Sequence, residues 1–267
     1  MNGTWTMVGL ALSMGVVACA TSPLGRSQLM LVGDAEMDKM GVEAFEQIKK
    51  ETPVSDDASS NSYVTCVANA ITASLPSEAG AGPWEVRVFQ DDTANAFALP
   101  GRKIGVHTGL LKVATNQDQL ATVIGHEVGH VLAKHGAERV SDQFATQIAA
   151  SGAGALLGTV TNPATQGIAM AALGVGAQGV VLKFSRTQES EADALGLDLM
   201  AKSGFDPRES VALWKNMAAA SQGNQPPEFL STHPAHDTRI QALEARIPQD
   251  LPVAEQARKQ GRNPRCR

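Results

Sequence analysis

Residues 116–132 read NQDQLATVIGHEVGHVL and have the features of one amphipathic helix. Asn116 stands three residues before Gln119, which is the spacing of a capping box at a helix start. Apolar residues then recur at steps of three and four, which places them on one face: Leu120, Val123, Ile124, Val128 and Val131. The sequence therefore predicts a helix that packs one face on a core.

Two histidines and a glutamate within this helix form the pattern H-E-x-x-H at 126–130. His126 and His130 lie one helical turn apart on the same face, so both imidazoles can reach one zinc ion. Glu127 lies about 100° around the helix, where its carboxylate can reach a water on that metal. The pattern therefore predicts a metal site with a general base beside it.

Two arrangements could supply the third ligand. A metzincin needs histidine at position 136 and glycine at 133, but this chain has Gly136 and Ala133, and His135 comes one residue early. In the other arrangement a glutamate on a later helix completes the site, and residues 185–193, SRTQESEAD, offer one. Glu189 and Asp193 share a helix face, so Asp193 can hydrogen-bond a ligand histidine if Glu189 binds the metal.

In that second arrangement Glu191 points away from the metal face, and we expect His135 to face solvent just past the motif. The alternative for residues 185–193 is an acidic helix turn that is exposed to solvent and contains no metal ligand.

Outward from this helix, the patterns predict an α+β fold that is mainly helical, with a small mixed sheet beside the H-E-x-x-H helix. Residues 84–90, 95–101 and 103–109 have strand patterns. Helices are expected at 34–50, 58–74 and 185–202, with further helical segments to about 246. The strand at 95–101 could pair with an extended peptide substrate. The alternative is that Asn95 and Phe97 only turn and pack the strand, and a core position is favoured for Phe97. Residues 143–182 carry no charge and predict either a buried helical hairpin or a segment touching a membrane surface.

The amino terminus has the pattern of a secretory address. Residues 7–18 are apolar or small and too few to span a bilayer, and VVAC at 16–19 resembles a bacterial lipobox. We therefore expect a lipoprotein signal peptide at 1–18, a lipid anchor at Cys19, a linker at 19–33, a single domain at 34–250 and a tail at 251–267. Cys66 and Cys266 remain as a possible disulfide, with two free thiols as the alternative.

Composition argues against one class of function, nucleic-acid binding, and against one kind of metal site, a zinc site made of cysteines alone. A net charge of -5 argues against a nucleic-acid binder, whose phosphate contacts need a basic face. Three cysteines are too few for a zinc site made of cysteines alone, so a metal here depends on histidine and carboxylate.

Four ordered blocks together resemble a known family: NAFALPGRKIGVHTGLL at 95–111, HEVGHVLAKHGAER at 126–139, FSRTQESEADALGLDLM at 184–200 and LSTHPAHDTRI at 230–240. They are similar to the zinc metallopeptidases that include the CAAX prenyl endopeptidases and bacterial periplasmic quality-control proteases. The resemblance implies a gluzincin fold with one Zn²⁺ per chain, held by His126, His130 and Glu189. It also implies Glu127 as general base and acid, with Asp193 supporting the ligands.

Many members of that family span the membrane several times, and this chain resembles the lipid-anchored soluble branch instead. The expected function is an endopeptidase for misfolded or unassembled cell-envelope proteins, attached through Cys19 to the periplasmic face of the bacterial outer membrane. Activity on prenylated substrates is not expected. Two alternatives stay open: a chaperone or assembly factor with a latent or structural zinc site, and an amidase acting on cell-wall peptides.

Two residues of the last block are candidates for further roles in the site. His233 could donate a hydrogen bond to the transition state, occupy the open metal position as a latch, or serve only structure. Arg239 is a second candidate donor. His107 and His236 are expected at the surface or behind the ligands.

Overall fold

The computed structural model describes residues 19–76, 82–151, 184–220, 228–233 and 237–267. The predicted signal peptide at 1–18, His236 and most of the uncharged run at 143–182 lie outside these residues.

After two short strands, β1 (Cys19–Thr21) and β2 (Ser27–Leu29), three further strands form one sheet, which is mixed, as predicted. Strand β3 (Glu85–Phe89) runs parallel to β5 (Lys103–His107), and β4 (Ala96–Leu99) pairs antiparallel with β5. The turn between β4 and β5 contains Gly101 with a φ of 79°, a left-handed conformation that glycine adopts without strain. Because β5 lies between β3 and β4, strand β4 is an edge strand of this sheet.

Helices make up most of the rest of the described chain, which confirms the predicted mainly helical α+β fold. Their bounds are α1 (Asp34–Glu51), α2 (Ala58–Thr72), α3 (Gln117–Leu132), α4 (His135–Ser151), α5 (Arg186–Lys202), α6 (Glu209–Ala220), α7 (Glu228–Thr232) and α8 (Asp237–Lys259). The side chain of Asn116 caps α3 by accepting from the backbone N–H groups of Asp118 and Gln119. Ser185 and Gln188 form the capping box at the start of α5.

Helices α3 and α5 pack very closely, and glycines at their contact allow this. A Cβ on Gly196 would lie 2.8 Å from the backbone nitrogen of His126, and one on Gly129 would lie 2.9 Å from the carbonyl oxygen of Ala192. Real side chains do not fit at such distances, so the two backbones touch directly. This contact brings the H-E-x-x-H residues of α3 next to the acidic residues of α5.

The two ends of the described chain differ from the predicted linker and tail. Residues 19–29 form a two-stranded antiparallel hairpin, with β1 at Cys19–Thr21 and β2 at Ser27–Leu29. Helix α8 continues through the predicted boundary at 250, and beyond it Cys266 forms a disulfide with Cys66 of α2. Cys19 is exposed with a free thiol, and its acylation stays a prediction.

Among the described residues, no helix combines the length and apolar character needed to cross a membrane.

Candidate active site

The structure brings four potential metal ligands together at the contact of α3 and α5. They are His126 and His130 of α3, Glu189 of α5 and His233, which directly follows α7. All four are buried, and one donor atom from each lies within 4.8 Å of the others. The three ligands predicted from the sequence therefore meet, and His233 joins them.

The donor atoms converge on one point. Nε2 of His126 lies 3.0 Å from Nε2 of His130 and 3.2 Å from Nδ1 of His233. Nδ1 of His233 also lies 2.9 Å from Oε1 of Glu189. Three imidazole nitrogens and a carboxylate suit tetrahedral zinc, and a cation at this point is a partner that all four can share. The residues present therefore fit a zinc ion.

Glu127 lies beside this cluster without belonging to it. Its Oε1 is buried, has no hydrogen-bond partner among the described residues, and lies 3.4 Å from Nε2 of His233. Burial raises the pKa of the Glu127 carboxyl above its ordinary value, while the nearby His233, His126 and the backbone N–H of Ala98 act in the opposite direction. Glu127 therefore presents a buried, unpartnered carboxylate oxygen next to the cluster.

Asp193 and Arg239 support the ligands from behind. Oδ1 of Asp193 lies 2.9 Å from Nδ1 of His126, the partner that the i,i+4 spacing predicted. Arg239 donates from one terminal nitrogen to Glu189 at 2.9 Å and from the other to Asp193, and its guanidinium lies 3.5 Å from the ring centroid of Trp214. Although burial acts to raise it, the pKa of Asp193 is held below its ordinary value by Arg239 and His126.

The expectation that His135 faces solvent is wrong, since its side chain is fully buried. Lys134 adopts a left-handed φ of 54° between α3 and α4, and this turn directs His135 back onto α3. Nδ1 of His135 lies 2.8 Å from Nδ1 of His130. Nothing in the helical periodicity signals this contact, because it depends on the irregular turn.

Glu191 and Phe184 are further residues near the ligands that the sequence did not reveal. Glu191 does point away from the metal, but it is buried and its Oε2 lies 3.2 Å from Nε2 of His135. The ring of Phe184 stacks on that of His130 with centroids 3.9 Å apart. His107 is buried and lies outside the cluster, with Nδ1 2.9 Å from the hydroxyl of Thr93.

The profile of Peptidase family M48 matches residues 58–247, which include all four residues of the cluster. The chain belongs to peptidase family M48. This confirms the predicted resemblance to zinc metallopeptidases. M48 peptidases use zinc, the ion that this set of donors fits.

Curated relatives of this M48 chain come from mitochondria and from bacteria. It is 35% identical to "Mitochondrial metalloendopeptidase OMA1" of Schizosaccharomyces pombe, over 62% of this chain and 47% of the relative. It is 32% identical to "Metalloendopeptidase OMA1, mitochondrial" of Bos taurus, over 86% of this chain and 46% of the relative. The "Beta-barrel assembly-enhancing protease" of Yersinia pestis is 29% identical, over 82% of this chain and 45% of the relative. The M48 chain thus spans about half the length of the curated relatives it matches.

These relatives overturn the predicted location. The sequence predicted a lipid-anchored protein at the periplasmic face of a bacterial outer membrane, but the relatives from Schizosaccharomyces pombe and Bos taurus are mitochondrial. The physical reason is that mitochondrial and bacterial relatives share the same peptidase region. A short apolar run with one cysteine does not identify a compartment.

Proposed function

We propose that this chain is a zinc-dependent endopeptidase that cleaves unfolded or misassembled proteins, with Glu127 as its general base. One observation carries the proposal: a buried cluster of four potential ligands has the unpartnered carboxylate oxygen of Glu127 directly beside it. Membership of a peptidase family and the name metalloendopeptidase of its relatives support the reaction class.

The ligands in this proposal are His126, His130 and Glu189, which leave one position for water or substrate. Zinc held there would polarise the peptide carbonyl and lower the pKa of bound water towards about 7. Glu127 accepts the proton of the attacking water and delivers it to the leaving amine. Burial of the Glu127 carboxyl favours this role, because it stabilises the protonated form that occurs between the two transfers.

Strand β4 is our candidate for the surface that binds the substrate backbone. It lies at an edge of the sheet, and the backbone N–H of its residue Ala98 interacts with the Glu127 carboxylate. An extended peptide that pairs with this edge would bring its main chain to the catalytic base with little sequence preference. Such binding suits unfolded proteins as substrates, and the name of the Yersinia pestis relative concerns protein assembly.

Cleavage of an unfolded protein tests the proposal against its two alternatives. The purified chain with one equivalent of zinc is expected to cut casein, and a chelator is expected to stop the cleavage. Glu127→Gln should bind zinc and lose at least about 10²-fold in rate, since a general base contributes on the order of 10²–10⁴. Glu244→Gln, an exposed position on α8, is the control.

The chaperone with a structural zinc site would be favoured if neither the wild type nor His233→Ala cleaves casein and Glu127→Gln still assists protein folding. Cleavage of peptidoglycan fragments in place of casein would favour the amidase.

We also propose that His233 is a latch that restrains, without abolishing, the activity of this site. Its Nδ1 lies among the ligand atoms, 3.2 Å from Nε2 of His126 and 2.9 Å from Glu189, where it would fill the fourth position of a zinc ion. Its ring is stacked on that of Phe229 with centroids 4.5 Å apart, so an aromatic contact holds it there. Arg239, in contrast, already donates to two carboxylates, which favours a positioning role over donation to substrate.

His233→Ala is expected to raise the rate of casein cleavage, because the fourth position becomes free for water. Ser231→Ala, an exposed position in the short helix α7 that precedes His233, is the control. A large loss of activity in His233→Ala would instead assign the residue to transition-state stabilisation.

A further inference from the structure

A buried chain of polar groups connects ligand His130 to the hairpin at residues 19–29. Nδ1 of His130 lies 2.8 Å from Nδ1 of His135, and Nε2 of His135 lies 3.2 Å from Oε2 of Glu191. Nε of Arg26, from the loop between β1 and β2, donates to the same oxygen at 3.1 Å. The contacts therefore run without interruption from the metal cluster to the N-terminal hairpin.

Hydrogen positions along this chain have one consistent assignment when His130 binds a metal. Nε2 of His130 faces the cluster and must offer its lone pair there, so its hydrogen is on Nδ1. That hydrogen is donated to Nδ1 of His135, which places the hydrogen of His135 on Nε2, facing Glu191. Arg26 is a permanent donor and keeps Glu191 as the final acceptor. Each group thereby fixes the tautomer and orientation of the next.

Arg26 is itself held firmly in place. Its two terminal nitrogens donate to the two carboxylate oxygens of Glu138 on α4, one of them at 2.7 Å. Gln28 of β2 donates to Glu138 at 3.0 Å and to the carbonyl of Ala133 at 2.8 Å. Gln188 of α5 donates to Glu138 at 2.9 Å. The hairpin is thus joined to α4 through Glu138, to the end of α3 at Ala133 and to α5 through Glu191.

His126, the other ligand histidine on α3, is supported by a shorter chain of polar contacts. His126 contacts the carboxylate of Asp193 directly, and Asp193 is paired with Arg239. For His130 the carboxylate and arginine are Glu191 and Arg26, and His135 bridges the gap. Arg26 lies before the family profile begins at residue 58, so this cation is supplied by the chain's own N-terminal segment.

We propose that His135, Glu191 and Arg26 are positioning residues for ligand His130, so that the N-terminal hairpin contributes to the metal affinity of the site. The inference rests on the proposed function in one respect, which is that His130 is a metal ligand. Loss of a partner behind a metal ligand typically weakens metal affinity by about 10–100-fold.

The affinity of the full chain for zinc, measured by competition with a chelator, tests this inference. His135→Leu removes both ring nitrogens and is expected to weaken binding by about 10–100-fold, while His135→Asn keeps an acceptor for His130 and should recover part of that loss. Arg26→Met should weaken binding by about tenfold, the lower end of that range. Arg208→Met is the matched control, because Arg208 forms an exposed pair with Asp206 away from the cluster.

Two further readouts separate positioning from general stability. A purely structural role would lower the unfolding free energy of the zinc-free protein while leaving the zinc affinity of the folded protein unchanged. The absorption spectrum of the Co²⁺-loaded protein should shift in His135→Leu, because the geometry at His130 changes. Arg26 is a quarter exposed, so Arg26→Met keeps the test valid if His135→Leu does not fold.

Unchanged zinc affinity in a folded Arg26→Met or His135→Leu protein would overturn the inference while leaving the zinc site intact. An equal loss in Arg208→Met would also overturn it. If His130→Ala itself binds zinc as tightly as the wild type, the proposed function fails, and the inference fails with it.

Discussion

At the scale of single residues, Glu138 shows how strongly the hairpin is coupled to the domain. Burial alone would raise the pKa of this carboxyl, but hydrogen bonds from Arg26, Gln188 and Gln28 outweigh it and lower the pKa to about 2. The ordinary value is 4.5, so the folded protein holds this group ionised over a wider pH range than the unfolded chain does. The ionised carboxylate therefore stabilises the fold at neutral pH.

The pH dependence of unfolding should carry the signature of Glu138. Because its folded pKa is depressed, its contribution to the unfolding free energy is present above about pH 5 and is lost as the pH falls towards about 2. Glu138→Gln is expected to be less stable at pH 7 and to lose less stability between pH 5 and pH 3. Urea unfolding at several pH values measures this, with Glu244→Gln as the control for one lost charge. If the unfolding free energy of Glu138→Gln falls as steeply between pH 5 and pH 3 as that of the wild type, the expectation is contradicted.

The residues predicted from the sequence are those fixed by regular helices. His126 with His130 and Glu189 with Asp193 follow from the i,i+4 geometry of a helix, and the structure places all four in one cluster or directly behind it. His135 could not be placed, because its direction depends on the left-handed turn at Lys134. Arg26 could not be placed either, since its partners are more than 100 residues away in sequence.

At the scale of elements, the contact between α3 and α5 sets the geometry of the site. Gly196→Ala tests this contact, because the added Cβ would lie 2.8 Å from the backbone nitrogen of His126. Helix propensity favours alanine over glycine by about 1 kcal/mol, whereas overpacking costs typically about 1–3 kcal/mol. We expect a net loss of unfolding free energy together with weaker zinc binding, because the ligands of the two helices move apart.

Chemical denaturation and zinc competition measure the two effects of Gly196→Ala. Gly33→Ala is the control, because a Cβ there meets nothing within 4 Å. A Gly196→Ala protein that is more stable than the wild type and binds zinc equally well would show that the helices need no such close contact.

Elements with a strong period or a clear cap were predictable, and the short ones were not. The helices α1, α2, α3 and α5 and the three strands of the mixed sheet lie close to their predicted ranges. The hairpin β1-β2 was expected as a linker, because strands of three residues are too short to display an alternating pattern. Its register depends on long-range contacts such as those of Arg26 and Gln28.

At the scale of the whole molecule, the Cys66–Cys266 disulfide ties the end of the chain to helix α2 across a sequence separation of 200 residues. Replacing both cysteines with serine should lower the unfolding free energy by roughly 2–5 kcal/mol, because a long loop is released in the unfolded chain. Zinc affinity should be unchanged, since Cys266 contacts α3 at Gln117, its first residue, whereas the ligands His126 and His130 lie more than two turns further along the helix. Thermal unfolding with and without a reductant is the measurement, and an unchanged melting temperature would contradict this role.

Family and fold could be predicted for the whole molecule because they depend on residues within the region that the family profile matches, 58–247. The compartment could not, because the apolar run at 7–18 lies outside that region and mitochondrial relatives share the same peptidase region. Short N-terminal patterns are recognised by cellular machinery and leave no trace in the packing of the core.

In the proposed function, the four-residue cluster is a catalytic zinc centre. The most direct test adds zinc stepwise to the metal-free chain and follows both bound zinc and casein cleavage, in wild type, His233→Ala and Glu127→Gln. Cleavage is expected to rise with bound zinc and to saturate at one equivalent, while Glu127→Gln binds the same equivalent and cleaves at least about 10²-fold more slowly. Cleavage by the metal-free protein, or by Glu127→Gln at the wild-type rate, would contradict it.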